Sequence, residues 1–248
     1  MTRILVETND FRAGLISTVA HASNGKYDPE LARVRLDVGP VNMHITATDR
    51  FTVGLALVSV EAHIEPELEI IDIGIEDVEK ILTVFKGGRT KGDDPEHILR
   101  IEATDEHVKI TDSSGMIDGR ALELPRLASD EAFPDLTTTF AHAQHSPLRS
   151  VDMLAFGMGQ LKKFNAAAAC YREPLVFESI GTSSSITVRC GSSFIGRIPQ
   201  VPLNQKLTDQ LSVWRDGWDE RIPRPTGIDL KTATGLFSVS DLEDKEKP

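Results

Sequence analysis

The residues of this chain whose types could do chemistry are seven histidines, two cysteines and the Thr48-Asp49-Arg50 segment. His142 and His145 invite a metal reading. Neither they nor His21, His44, His63, His97 and His107 have Asp, Glu or Cys converging at ligand spacing, so all seven are expected to be exposed loop histidines. Cys170 and Cys190 make no Cys-x-x-Cys pair, which argues against zinc and a disulfide framework and leaves two ordinary part-buried thiols. Asp49 has the type of a catalytic carboxylate, but an Asp at a tight turn between strands is the simpler role. No Gly-x-Ser-x-Gly, Walker loop, Gly-x-Gly-x-x-Gly or His-Glu-x-x-His occurs. No catalytic residue, metal or cofactor is expected, and the chain does not read as an enzyme.

Basic residues, in contrast, recur on helical stretches. Arg12 falls on the first; Lys80 and Lys86 fall on the second, with Arg89 and Lys91 just beyond it; Lys162 and Lys163 fall on the third, with Arg172 beyond it. Singly, each is an ordinary solvated side chain, and Lys86, Arg89 and Lys91 would also suit the negative end of a helix dipole. A shared position on repeated helices would collect them on one surface.

The elements that position these residues repeat. Residues 44–57 read HITATDRFTVGLAL and residues 109–122 read KITDSSGMIDGRAL, each placing Gly-x-Ala-Leu at the same distance after Ile-Thr. The offset of about 65 residues holds upstream as well, where Leu15, Ile16 and Val19 are echoed by Ile81, Leu82 and Phe85, so one supersecondary unit is used twice. Each copy reads β-α-β-β-β. In the first, a strand at 3–6 precedes a helix capped by Thr8, Asn9 or Asp10, and alternation then runs from Leu31 through Val60. In the second, 68–73 is a strand, and Val78, Ile81, Leu82 and Phe85 mark a helix stopped by Gly87-Gly88. A third unit is expected at Val151–Phe156 (strand), Met158–Ala168 (helix) and three strands ending near Val201. Between the second and third lies a turn-rich connector without helical period. Past Leu203, Leu207, Leu211, Trp214 and Trp218 form a helical stripe, Gly235–Ser240 suits a short strand, and the end is charged.

The bulk composition sets outer limits. There are 248 residues, 40% of them hydrophobic, and no apolar run approaches the ~18 residues of a membrane span. Nothing in MTRILVETNDF marks export, so the expectation is a cytoplasmic protein without membrane contact. A net charge of −11 counts against a nucleic-acid partner unless the basic residues are gathered on one face.

At this point the chain resembles the bacterial sliding clamp, the β subunit of DNA polymerase III. The most specific stretch is Leu124-Pro125-Arg126-Leu127 through Phe133-Pro134-Asp135-Leu136, which looks like the clamp's segment leaving its first domain. ITATDR is similar to a clamp strand-turn, and 151–169 with 173–202 resembles the closing motif of the family. The resemblance implies an α+β DNA clamp fold of repeated β-α-β-β-β units, with antiparallel sheets outside and helices facing inward. It implies a first clamp domain at 1–125, a connector at 126–148, a second, partial domain at 149–203 and an atypical extension at 204–248.

The function implied is a processivity factor that encircles double-stranded DNA without reading sequence and tethers a replicative polymerase, as a homo-oligomeric ring, with a clamp loader as a further partner. Arg12, Lys80, Lys86, Arg89, Lys91, Lys162, Lys163 and Arg172 would then face phosphates. Pro199, Val201 and Leu203 would line the family's apolar polymerase cleft, where the plain alternative is an edge strand leaving its sheet. Gln210, Leu211 and Trp214 sit in QLSVW, similar to the peptide by which clients dock on clamps, although the same residues make a self-packing helix stripe. The departures bear on ring closure. With twelve units per ring, three units per chain need four chains and four need three. The rival reading is a clamp-like protein that closes no ring and binds a clamp or polymerase as regulator or decoy.

Overall fold

In the computed structural model the described residues are 2–64, 69–88, 97–128, 133–151, 153–180 and 184–222. The chain divides into two compact units at Pro202/Leu203. In the first, β1 (Thr2–Glu7) leads into α1 (Thr8–Val19), followed by β2 (Arg33–Val38), β3 (Asn42–Thr48) and β4 (Val53–His63). The order then repeats as β5 (Glu69–Gly74), α2 (Ile75–Val84), β6 (Ile98–Ala103), β7 (His107–Asp112) and β8 (Ala121–Pro125). Both expected β-α-β-β-β units are present. Glu7, rather than Thr8, Asn9 or Asp10, caps α1, its carboxylate accepting from Asp10 N. Leu31 ends a short 3-10 turn begun at Pro29 instead of opening β2.

The two units interlock by exchanging their opening strands. β1 pairs with β6 of the second unit, Ile4 opposite Ile101, while β5 pairs with β2 of the first, Ile71 opposite Leu36. The interlocked core includes Ile4, Val6, Leu36, Ile71, Val78, Ile81, Leu99 and Ile101, all at most 1% exposed. Fully burying each such side chain contributes about 1.5–3 kcal/mol.

One face of the sheet carries α1, with Gly14 seated over Ile45 and Val58. The other face carries the connector. Asp72 is buried between Arg33 (3.2 Å) and Arg35 (2.8 Å). Arg33 donates to Ala128 O, and the Arg35 guanidinium stacks 4.3 Å from the Phe133 ring centroid. The connector, expected to lack helix, contains α3 (Leu136–Gln144), with Leu136, Phe140 and Ala143 buried. Its run of three threonines costs roughly 0.5 kcal/mol per residue in helix propensity. Burial of Leu136 and Phe140 at about 1.5–3 kcal/mol each outweighs that, and the Asp135 carboxylate caps the first turn by accepting from Thr138 N.

The third unit comprises α4 (Met158–Leu161), a 3-10 turn at Lys162–Phe164, α5 (Asn165–Tyr171), β9 (Leu175–Ser179), β10 (Ser185–Cys190) and β11 (Phe194–Pro199). The single helix expected at 158–168 is thus divided at the 3-10 turn. The opening strand expected at Val151–Phe156 is absent among the described residues; nearby, a single bridge joins Leu148 to Ile180. The physical reason lies in the first two units, where an opening strand finds its ladder on a partner unit, and no fourth unit stands among the described residues. β11 joins the third unit to the first by pairing antiparallel with the start of β4, Gly54 opposite Gly196. In the second compact unit α6 (Gln205–Arg221) is described, capped by Asn204. The expected strand at 235–240 and the charged end lie outside the described residues.

Candidate nucleic-acid interface

α1 packs between α2 and α5, so three helices from three units form one layer on one face of the sheet. This layer collects the expected basic residues, but their surroundings differ. Arg12 reaches from α1 to the end of α2, where its guanidinium donates to the Leu82 (2.6 Å) and Phe85 carbonyls, groups left open by the helix terminus. Lys80 is exposed and ion-paired with Asp77 at 2.7 Å, which raises its pKa. Lys163 is half-buried and holds Asp49 at 2.6 Å. Lys86 just past the end of α2, Lys162 on the 3-10 turn and Arg172 just past α5 are exposed, and none has an ion-pair partner among the described residues. Arg172 takes a left-handed conformation, φ 55°. Arg89 and Lys91 lie outside the described residues.

The layer is not uniformly positive. The exposed side chains of α2 include Glu76 and Glu79 beside Lys80. The 158–172 stretch carries Lys162, Lys163 and Arg172 and no acid. Positive charge is therefore weighted toward the third unit. Lys86, Arg120, His97, Asp112, Ser114 and Thr8 are among the residues lining a polar cavity of about 270 Å³.

Asp49 is a turn residue by every contact it makes. One oxygen accepts from Phe51 N, Thr52 N and the Thr52 hydroxyl, and the other accepts from Lys163. Burial alone would push its carboxyl up, but Lys163 and Thr52 together hold it below the usual range. His21, expected on an exposed loop, is fully buried. Phe164 (4.7 Å between ring centroids) and Phe194 (5.9 Å) cover it from the third unit, a contact more than 140 residues away in sequence. Burial and the nearby Lys163 lower its pKa to about 3. Two facing glycines make this joint possible. A Cβ on Gly54 would come 2.6 Å from His21 Cδ2, and one on Gly196 would come 2.6 Å from Phe164 Cε1.

Cys170 is half-buried and Cys190 buried, and burial raises both thiols. Among the described residues no three His, Cys, Asp or Glu side chains gather as a metal site, and no helix is long and apolar enough to cross a membrane.

The expected partner-binding residues fall in both compact units, Pro199 and Val201 in the first and Leu203, Gln210, Leu211 and Trp214 in the second. Pro199 ends β11, Val201 is exposed with its N–H donating to Ala155 O, and Leu203 is exposed. None of the three lines the clefts that flank α3. One cleft, about 520 Å³, lies between Phe140 of α3 and Leu55, Leu57, Phe194 and Ile195 of β4 and β11; the other lies between Pro134, Leu136 and Thr139 and the β3–β4 turn. Sequence reasoning missed this surface. The available signal was an Asp135 cap followed by Leu136, Phe140 and Ala143 at helical spacing. Gln210, Leu211 and Trp214 lie mid-helix in α6, with Trp214 and Trp218 exposed and Leu211 half-buried.

No family model matches the sequence, and none of the curated proteins does. Solved structures do match. The DNA polymerase III β subunit of Thermotoga maritima superposes with a TM-score of 0.61 at 13% identity, covering 82% of this chain and 65% of that one. The sliding clamp of Bacillus subtilis gives 0.58 at 14% identity, with 82% and 64% covered. The β chain from Streptococcus pneumoniae gives 0.59 at 12% identity, with 85% and 68% covered. The chain thus spans about two-thirds of the length of these proteins. Interlocked β-α-β-β-β units with a shared helical layer, matched across four-fifths of the sequence, give this chain the sliding-clamp fold.

Proposed function

We propose that this chain is a DNA sliding clamp, a cytoplasmic processivity factor whose helical layer faces duplex DNA and whose opposite face tethers a replicative polymerase. The observation that supports the reading is the single layer α2–α1–α5, carried on a sheet that runs from the first two units into the third. In this reading Lys86, Lys162 and Arg172 attract phosphates at long range without directional bonds that would stop sliding. Arg89 and Lys91 join them on sequence grounds alone. Arg12, Lys80 and Lys163 add charge while bound to groups of the chain itself. The apolar cleft between α3 and β4–β11 takes an apolar segment of the polymerase. No step of bond chemistry is involved.

A second reading, a clamp-like regulator that closes no ring, is favoured by the acids on α2, Glu76 and Glu79. The two separate on DNA topology. A clamp is expected to stay on nicked circular duplex at roughly 0.5 M salt and to slide off once the circle is cut, because topology survives screening and charge contacts do not. Changing Lys86, Lys162 and Arg172 together to Glu is expected to lower DNA association at ~0.1 M salt by tenfold or more. Equal retention on circle and line would sink the ring, and unchanged association in the triple variant would sink the assigned face.

A further inference from the structure

The polar cavity of about 270 Å³ beside the end of α2 draws its walls from four parts of the fold. Lys86 follows α2, Thr8 opens α1, His97 precedes β6, and Asp112, Ser114 and Arg120 belong to the β7–β8 hairpin. Hydrogen bonds fix the backbone on two sides. The His97 carbonyl accepts from the Thr8 N–H and hydroxyl, both at 2.7 Å, while Asp112 N donates to Arg120 O and Gly119 N to Asp112 O. The His97 ring lies against Gly88, where a Cβ would collide with it. Lys86, His97 and Arg120 therefore reach one hollow from three separate elements. They are also uncommitted, unlike Arg12 and Lys163. The negative end of α2, which would ordinarily draw the nearest cations, is served by the Arg12 guanidinium, donating to the Leu82 and Phe85 carbonyls. Lys86 and the His97 ring have no hydrogen-bond or ion-pair partner among the described residues. Arg120 makes one long bond, 3.5 Å to Val84 O, which leaves most of its five donors open. Asp112, an acid in the same lining, accepts from the Ser114 N–H and hydroxyl.

We propose that this cavity binds a doubly charged phosphate group, either inorganic phosphate or a phosphomonoester. Lys86 and Arg120 bring two positive charges against the single charge of Asp112, and the guanidinium fork and the imidazole add directional donors. The volume, just under the ~300 Å³ at which ordinary small-molecule pockets begin, suits such an anion with a short ester arm. A phosphodiester within a strand carries one charge, and directional bonds from fixed elements would halt a backbone that slides past. A free or terminal phosphate carries about −1.5 to −2 at pH 7 and matches the excess of cations. The site does not rest on the DNA-binding reading, since Arg120 belongs to no part of the face assigned to DNA.

The test is titration of the isotopically labelled full chain with inorganic phosphate near neutral pH and at low salt, followed by amide shifts and without DNA. Phosphate is expected to bind at about 1 mM or tighter, moving the amides of 86–88, 97–99, 112–114 and 119–120 together. Arg120→Ala, at an exposed position, is expected to weaken binding by about tenfold or more. Asp112→Asn keeps an acceptor for Ser114 and removes the opposing charge, so it is expected to tighten binding severalfold. Tighter binding of a 5′-phosphorylated single strand than of the same strand without that phosphate assigns the group to a strand end. Equal binding of the two strands assigns it to a free small molecule. No saturation by about 10 mM phosphate overturns the proposal. So do equal shifts from chloride at the same ionic strength, or binding that Arg120→Ala leaves unchanged.

Discussion

At the scale of single residues, the joint between the first and third units turns on His21. Its two ring nitrogens have no hydrogen-bond partner among the described residues, the charged groups that act on it are Lys163 and Asp49, and Phe164, Phe194 and Gly54 pack against it. Folded, it stays neutral down to about pH 3; unfolded, it takes up a proton near the ordinary imidazole value of 6.5. As pH falls below 6.5 the unfolded chain therefore binds a proton that the folded chain does not, and stability is lost, approaching about 1.4 kcal/mol per pH unit from this group alone. Between pH 6.5 and 5, above the range of most carboxylates, denaturant titrations should show this slope, and His21→Phe should flatten it. An unchanged slope in the variant would place the acid sensitivity elsewhere. The burial of His21 was not legible in the sequence, because the two rings that cover it come from residues 164 and 194.

At the scale of elements, α3 is the clearest case of packing overriding local signals. Thr137, Thr138 and Thr139 argue against a helix, and the apolar residues that argue for it count only once a sheet face is there to receive them. Phe140, 6% exposed, anchors α3 over β4 and β11 and forms one wall of the larger cleft. Phe140→Ala is expected to cost about 3–5 kcal/mol as a buried aromatic truncation, or less where α3 can settle, measured by chemical denaturation. It should also weaken polymerase binding while leaving retention on circular DNA intact at temperatures where the variant is folded. Loss of both together would mean that the cleft and the helical layer do not act separately. α2 is the opposite case. Its buried Val78 and Ile81, with Phe85 at its C-cap, follow a 3.6-residue period, and its place was legible beforehand, although it ends at Val84, short of the expected stop at Gly87-Gly88.

At the scale of the molecule, β4 decides how the units are bound together. One flank pairs with β3 from Val53 to Ser59, while the other pairs first with β11 and then with β1, so three sheet segments meet on one strand. α5 against α1 adds a second tie at the same joint. Residues 2–202 are therefore expected to unfold as one cooperative unit, giving a single calorimetric transition whose van't Hoff and calorimetric enthalpies agree for that part of the chain. A separate early transition, with amide exchange released in β9–β11 while β1–β8 stay protected, would show that the third unit is held less tightly than the pairing implies.

By itself the sequence determined the repeat, the two β-α-β-β-β units, their helices and the absence of recognisable catalytic motifs, because these rest on spacing within about 65 residues and on periodicities a single element carries. It did not determine which copy of Gly-x-Ala-Leu is covered. Gly54 and Ala56 are buried against β11, while Gly119 and Ala121, in the same local wording, are exposed. Nor did it determine that Arg12 and Lys163 hold neighbouring elements while Lys86 and Lys162 have no ion-pair partner among the described residues, or that the connector contains a helix. Those outcomes depend on which surfaces meet across 70 or more residues of chain, and identical short segments acquire different roles only when another part of the fold arrives, or does not arrive, to cover them.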